Sequence, residues 1–173
     1  MPLIERHGSA AKVAEDRFVP IDDEAPLPGE GAVVVSLGRF EADREALLAR
    51  EGDLGVRLRP DESPKALADD LDRIALVALE FPVFSDGRAF SSARLLRERL
   101  GYAGEIRAVG DVLCEQLPFM LRSGFDTFDM ASADALAEAE AVFGEVRIVY
   151  QPTGDGRATA IDQRRGDADA GRS

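Results

Sequence analysis

The side chains best able to do chemistry in this chain concentrate between residues 80 and 116. An apolar run ends in Glu80-Phe81-Pro82, and the chain continues through Phe84-Ser85-Asp86-Gly87-Arg88. A carboxylate, a glycine and an arginine in one strand-to-helix loop stand where such loops carry sites. Gly87 could supply a positive φ or a close backbone approach, although Asp-Gly is also an ordinary tight-turn pair. A second loop, Arg107-Ala108-Val109-Gly110-Asp111, closes the next strand. Freed amides at Gly110 and Asp111, with Arg88 or Arg107 as cations, would suit a small anion. The competing reading makes Asp111 a helix N-cap and gives Arg107, set mid-strand, a salt bridge to Glu80, Asp86, Glu105 or Asp111. Glu80 and Asp111 end consecutive strands and are the candidate acid–base pair. Two such carboxylates also suit Mg²⁺, but no spacing singles them out and no metal is assigned. Asp86, Gly87, Arg88, Arg107 and Gly110 are the candidate anion- or substrate-binding residues.

The elements that must position them follow from periodicity. Short β-branched or apolar runs at 33–35, 56–58, 74–79, 105–109, 125–130 and 146–150 read as strands. Helices are expected at 40–50, at 63–70 with Ser63-Pro64 at its start, at 91–100, at 112–121 despite Pro118, and at 132–143. In helix 91–100 the leucines fit a buried stripe, and Arg94, Arg97 and Arg99 fit a solvated edge. Strand and helix alternate, which predicts one α/β domain of repeated βα units with a mostly parallel sheet. An open doubly wound sheet and a partial β/α barrel both remain compatible. Residues 1–31, with Pro20, Pro26, Pro28 and Asp22-Asp23-Glu24, read as an irregular N-terminal arm; 32–151 form the domain; 152–173, rich in Gly, Asp and Arg, read as a disordered tail.

Composition narrows the chemistry further. One cysteine and one histidine among 173 residues leave no internal disulfide, thiol pair or self-ligated iron–sulfur cluster. Multi-ligand zinc sites are excluded on the same ground, and no Ser-His-Asp triad is expected in the folded body because the one histidine, His7, lies in the N-terminal arm. Cys114, flanked by Leu113 and Leu117, reads as a core residue. No G-x-G-x-x-G and no G-K-[ST] occurs. With 33 acidic against 21 basic residues and a net charge of −12, the chain is not expected to bind nucleic acid or anionic membranes. Its apolar runs are too short to span a bilayer and its start lacks an apolar leader, so a cytoplasmic location is expected. A small sheet with open edges predicts a homodimer.

The stretch resembles a bacterial family of uncharacterised proteins whose genes commonly accompany sulfite or nitrite reductase genes. The resemblance is carried by Phe84, Asp86-Gly87-Arg88, Ser91, Ala93-Arg94, Leu96-Arg97, Gly101-Tyr102, Gly104-Glu105, Arg107-Ala108, Gly110-Asp111-Val112, Gln116, Arg122 and Gly124-Phe125-Asp126. Glu115 stands where the family has Asp and keeps the charge. The resemblance extends over about residues 32–150 and adds Gln116 to the anion-binding candidates. Family members are often labelled probable oxidoreductases of sulfur assimilation. No autonomous redox centre is visible here, so the combined expectation is an accessory protein of assimilatory sulfite reduction. It would bind the sulfite or nitrite reductase or a small anionic intermediate. The alternatives are a β/α-barrel-like enzyme using carboxylates on an anionic metabolite, and a purely structural domain.

Overall fold

The computed structural model describes residues 2–7, 10–132 and 134–145. Five parallel strands follow one another in both sequence and space: β4 (Val33–Ser36), β5 (Leu54–Leu58), β6 (Leu76–Phe81), β7 (Glu105–Gly110) and β8 (Thr127–Asp129). A two-residue β3 (Val19–Pro20) runs parallel to β4 at one edge. At the other edge β1 (Leu3–His7) pairs antiparallel with β8, and β2 (Ala10–Ala14) pairs antiparallel with β1. The order β2-β1-β8-β7-β6-β5-β4-β3 has no reversal among the parallel strands, so the connecting helices gather on one face. This resolves the fold as a partial β/α barrel rather than a doubly wound sheet.

The curl follows from chain length. Laid flat, eight strands would separate β2 from β3 by roughly 34 Å. Yet the chain passes from Ala14 to Val19 in five steps, which reach about 18 Å at most. The sheet therefore bends into a half-barrel, and residues 15–18 strap its two edges across the concave side.

Register separates the two faces. Val33, Val35, Val56, Val77, Leu79, Phe81, Ile106, Ala108 and Phe128 point toward the helices and form the main core. That core is covered by α1 (Leu37–Ala42), α2 (Arg44–Leu48), α3 (Arg88–Arg94), α4 (Leu117–Ser123) and α5 (Ala135–Glu145). A strand buried on both faces reads as a nearly unbroken apolar run, which is why β6 was the plainest strand in sequence, while β4, β5 and β7 showed as shorter apolar or β-branched stretches. On the concave side Leu3, Phe18, Leu76 and Ala78 are buried outside that core.

Several expectations change in detail. The first 31 residues contribute three strands instead of an irregular arm. Those strands are short and bury few side chains, Leu3 and Ile4 in β1, Ala11 in β2 and none in β3, so they lack a sustained apolar period. The helix expected at 40–50 is two short helices broken at Asp43, and that expected at 63–70 is a 3₁₀ turn, Pro64–Leu67, capped by Ser63. Helix 91–100 begins earlier, at Arg88, and continues beyond Arg94 as a π-helical turn, Leu95–Arg99. The strand expected at 146–150 and the tail at 152–173 lie outside the described residues.

Arg97 departs from the solvated edge assigned to it. Its side chain donates to the carbonyls of Tyr102 (2.7 Å), Gly104 (2.8 Å) and Gly124 (3.0 Å) and pairs with Asp126. It ties the end of the π-helical turn to the start of β8. Tyr102 is buried beside it, with its hydroxyl donating to Ile74 O at 3.1 Å, and burial holds that phenol above its ordinary pKa.

Candidate functional site

The loop after β6 and the loop after β7 meet in a clasp. Asp111 Oδ2 accepts from the Phe84 amide at 2.9 Å, and Gln116 Nε2 donates to the Phe84 carbonyl at 2.7 Å. Gln116 Oε1 accepts from the Leu113 amide at 3.3 Å, which sets the 3₁₀ turn Cys114–Gln116 against the same loop. Both backbone groups of Phe84 are thereby satisfied by side chains more than 25 residues away in sequence. Beneath the loop, Phe90 packs edge-on against Phe81 and Phe119, with ring centroids 5.2 and 4.8 Å apart. The clasp leaves Val83 and Phe84 turned outward, 52% and 56% exposed, and Phe119 lies exposed three residues on from Gln116.

The remaining loop candidates also engage one another. Asp86 accepts from the Arg88 amide (3.1 Å), Nε (3.0 Å) and Nη2 (2.7 Å), capping the start of α3. The Arg88 guanidinium and amide hold the Asp86 carboxyl below its usual range. Gly87 has φ −86°, a conformation open to any residue, and provides no positive-φ turn. Gly110 does: at φ +98°, a Cβ there would stand 2.4 Å from Phe81 O. Only glycine lets β7 end this close to β6.

Arg107 lies apart from this clasp, on the concave face. It is 6% exposed and bonds Glu105 Oε1 through Nε at 3.0 Å and Asp16 Oδ1 through Nη1 at 2.8 Å. Its guanidinium lies 5.6 Å from the centre of the Phe18 ring. Glu105 Oε1 also accepts from the Thr127 hydroxyl. This arginine anchors the strap, the salt-bridge role left open from sequence. Glu80 is half-buried on the same face, opposite Val109 in the β6–β7 register. The acid–base candidates thus differ in surroundings: Glu80 faces the concave side, while Asp111 holds the Phe84 amide. Cys114 packs against the main core, as expected.

A feature the residue types did not single out lies at the carboxyl ends of β4 and β5. There a cleft of about 740 Å³ opens between the strands and residues 20–25. Val34, Ser36, Arg57 and Arg59 line one side, and Asp22, Asp23 and Glu24 the other. Among the described residues, no group of three or more His, Cys, Asp or Glu side chains is arranged to hold a metal ion, and no helix is long and apolar enough to cross a membrane.

Neither the curated proteins nor the solved structures include a match to this chain. A family model does match, over residues 55–161, a span that begins within β5 and takes in the clasp, Arg107 and α5. The span is more than half of the 173 residues, and the chain belongs to the family described as bacterial protein of unknown function (DUF934).

Proposed function

We propose that this protein is an accessory protein of assimilatory sulfite reduction that works by docking on the reductase through the loop at residues 82–87. One observation carries the choice of a protein partner over a small anion at this loop. Asp86, Arg88, Asp111 and Gln116 are taken up by contacts that shape the loop, and the large apolar side chains it turns outward are Val83 and Phe84. Exposed aromatic and aliphatic side chains on a braced loop suit a protein surface, where a few such anchors dominate affinity. Sulfite reduction as the setting comes from the resemblance, and the absence of thiol pairs and cluster ligands from the sequence supports an accessory role. Among the described residues no strand pairs with the outer side of β2, where Val13 is 48% exposed, which supports the homodimer, and the cytoplasm is the location we propose for it.

The test is direct binding of the purified chain to purified sulfite reductase by interferometry. The parent chain is expected to bind, and Phe84→Ser to weaken binding by at least about tenfold, the loss typical of an interfacial anchor. No complex with the parent chain, or equal affinity for the Phe84→Ser variant, overturns the proposal.

A further inference from the structure

We propose that the cleft at the mouth of the half-barrel binds a small zwitterion, a molecule carrying a carboxylate or sulfonate together with an amine, with Arg57 holding the anionic end. Its volume of about 740 Å³ falls within the range of small-molecule sites. Its place, outside the carboxyl ends of parallel strands, is where β/α sheets and barrels take ligands.

Arg57 is the central observation. It is the next-to-last residue of β5, on the concave face, in register with Ser36 of β4 and Ala78 of β6. Across Ala78 in the same row lies Arg107, fully engaged by Glu105 and Asp16. Arg57 has no hydrogen-bond or ion-pair partner among the described residues and lines the cleft. Its planar group of five donors suits a two-oxygen acceptor such as a carboxylate or sulfonate.

The other charges of the lining select the ligand class. Arg59 is committed to Glu62, through Nε and Nη2 at 3.1 Å each. The Ser36 hydroxyl donates to Asp23 Oδ1 at 2.6 Å. The charges left over are the Arg57 cation and the carboxylates of Asp22, Asp23 and Glu24 on the facing loop, Asp23 keeping its charge because its partner is a neutral hydroxyl. A simple anion would meet Arg57 and also face those three carboxylates. A molecule with an amine set apart from its anionic group satisfies both sides. The acidic loop is already fixed: Arg39, with its side chain 11% exposed, donates to the carbonyls of Asp22, Asp23 and Ala25. A wall ordered before the ligand arrives lowers the entropy cost of binding.

This site lies apart from the 82–87 loop, and its ligand does not depend on the docking reading. Calorimetry on the full chain tests it, with the standard L-amino acids and taurine as zwitterionic probes, propionate and sulfate as anions, and ethylamine as a cation. At least one zwitterion is expected to bind with a Kd of about 1 mM or tighter, and its single-charge counterparts at least about tenfold more weakly. Arg57→Ala should weaken the zwitterion by about tenfold or more, and the exposed, partner-free side chain makes loss of fold unexpected. The double variant Asp22→Asn, Glu24→Gln, confined to the exposed loop, should weaken the zwitterion while strengthening propionate. If no zwitterion binds, if Arg57→Ala binds unchanged, or if propionate or sulfate binds the parent as tightly as the best zwitterion, the proposal is overturned. Phe84→Ser should leave every one of these affinities in place.

Discussion

Asp129 is half-buried on the concave side of β8, opposite Leu3 of β1. Burial pushes its carboxyl above the ordinary range, and nearby Asp16 adds to the rise; the Arg107 cation opposes it without cancelling it. The folded chain therefore holds the Asp129 proton more tightly than the unfolded chain does. Stability from this group is full below the unfolded value of about 3.9 and is lost as pH rises through the raised folded value. Asparagine stays neutral throughout, so Asp129→Asn keeps at neutral pH what the parent retains only in acid. Thermal melts should give the variant a higher Tm than the parent at pH 7, with the gain shrinking as pH falls toward 4. An equal offset at both pH values would remove Asp129 as its source. Asp86 shows the opposite case: its carboxyl is held low by Arg88, whose own side chain is open to solvent that screens the pair.

At the scale of elements, the clasp joins two βα loops through the backbone of a single residue. Each of its hydrogen bonds is expected to contribute about 1 kcal/mol. Asp111→Ala should therefore speed hydrogen exchange at the Phe84 amide by about fivefold, with the overall fold unchanged because Asp111 itself is exposed. An unchanged exchange rate would mean that the loop is held by its aromatic underlay alone. The loops were legible in sequence as a cluster of unusual residues, but their use was not. Asp111 meets Phe84 across 27 residues and through a main-chain amide, which no spacing of side-chain types encodes. Gly110 was readable as a loop glycine, whereas its closeness to Phe81 O depends on the β6–β7 pairing. Arg57 lay within an expected strand and carried no pattern of its own. Its interest arises from a missing partner and from a wall supplied by residues 22–24, and both are properties of the assembled sheet. The strand β6 was plainest because burial on two faces writes itself into consecutive residues, and β4, β5 and β7 showed through their shorter buried stretches. In contrast, β1 and β2 were hidden because they bury only Leu3, Ile4 and Ala11, too few side chains to write a sustained apolar run.

Over the whole molecule, the strap at residues 15–18 decides the shape. It holds β2 and β3 close together, so the concave face is enclosed on one half and open at the cleft on the other. Phe18 is 4% exposed and stacks beside Arg107, and Asp16 both pairs with Arg107 and accepts from the Phe18 amide at 3.1 Å. This small interior, with Leu3, Leu76 and Ala78, is separate from the main core, so it contributes stability that the helices cannot replace. Removing the Phe18 ring deletes most of its volume and leaves the buried Arg107 guanidinium without its apolar cover. Phe18→Ala should therefore cost about 3–5 kcal/mol in urea unfolding. Val19→Ala, one residue on but 57% exposed, should stay within about 0.5 kcal/mol. If the strap only decorates an independently stable sheet, the two variants will be indistinguishable. A large loss confined to Phe18 would identify the strap as the element that curls the sheet and keeps the cleft at the strand ends open.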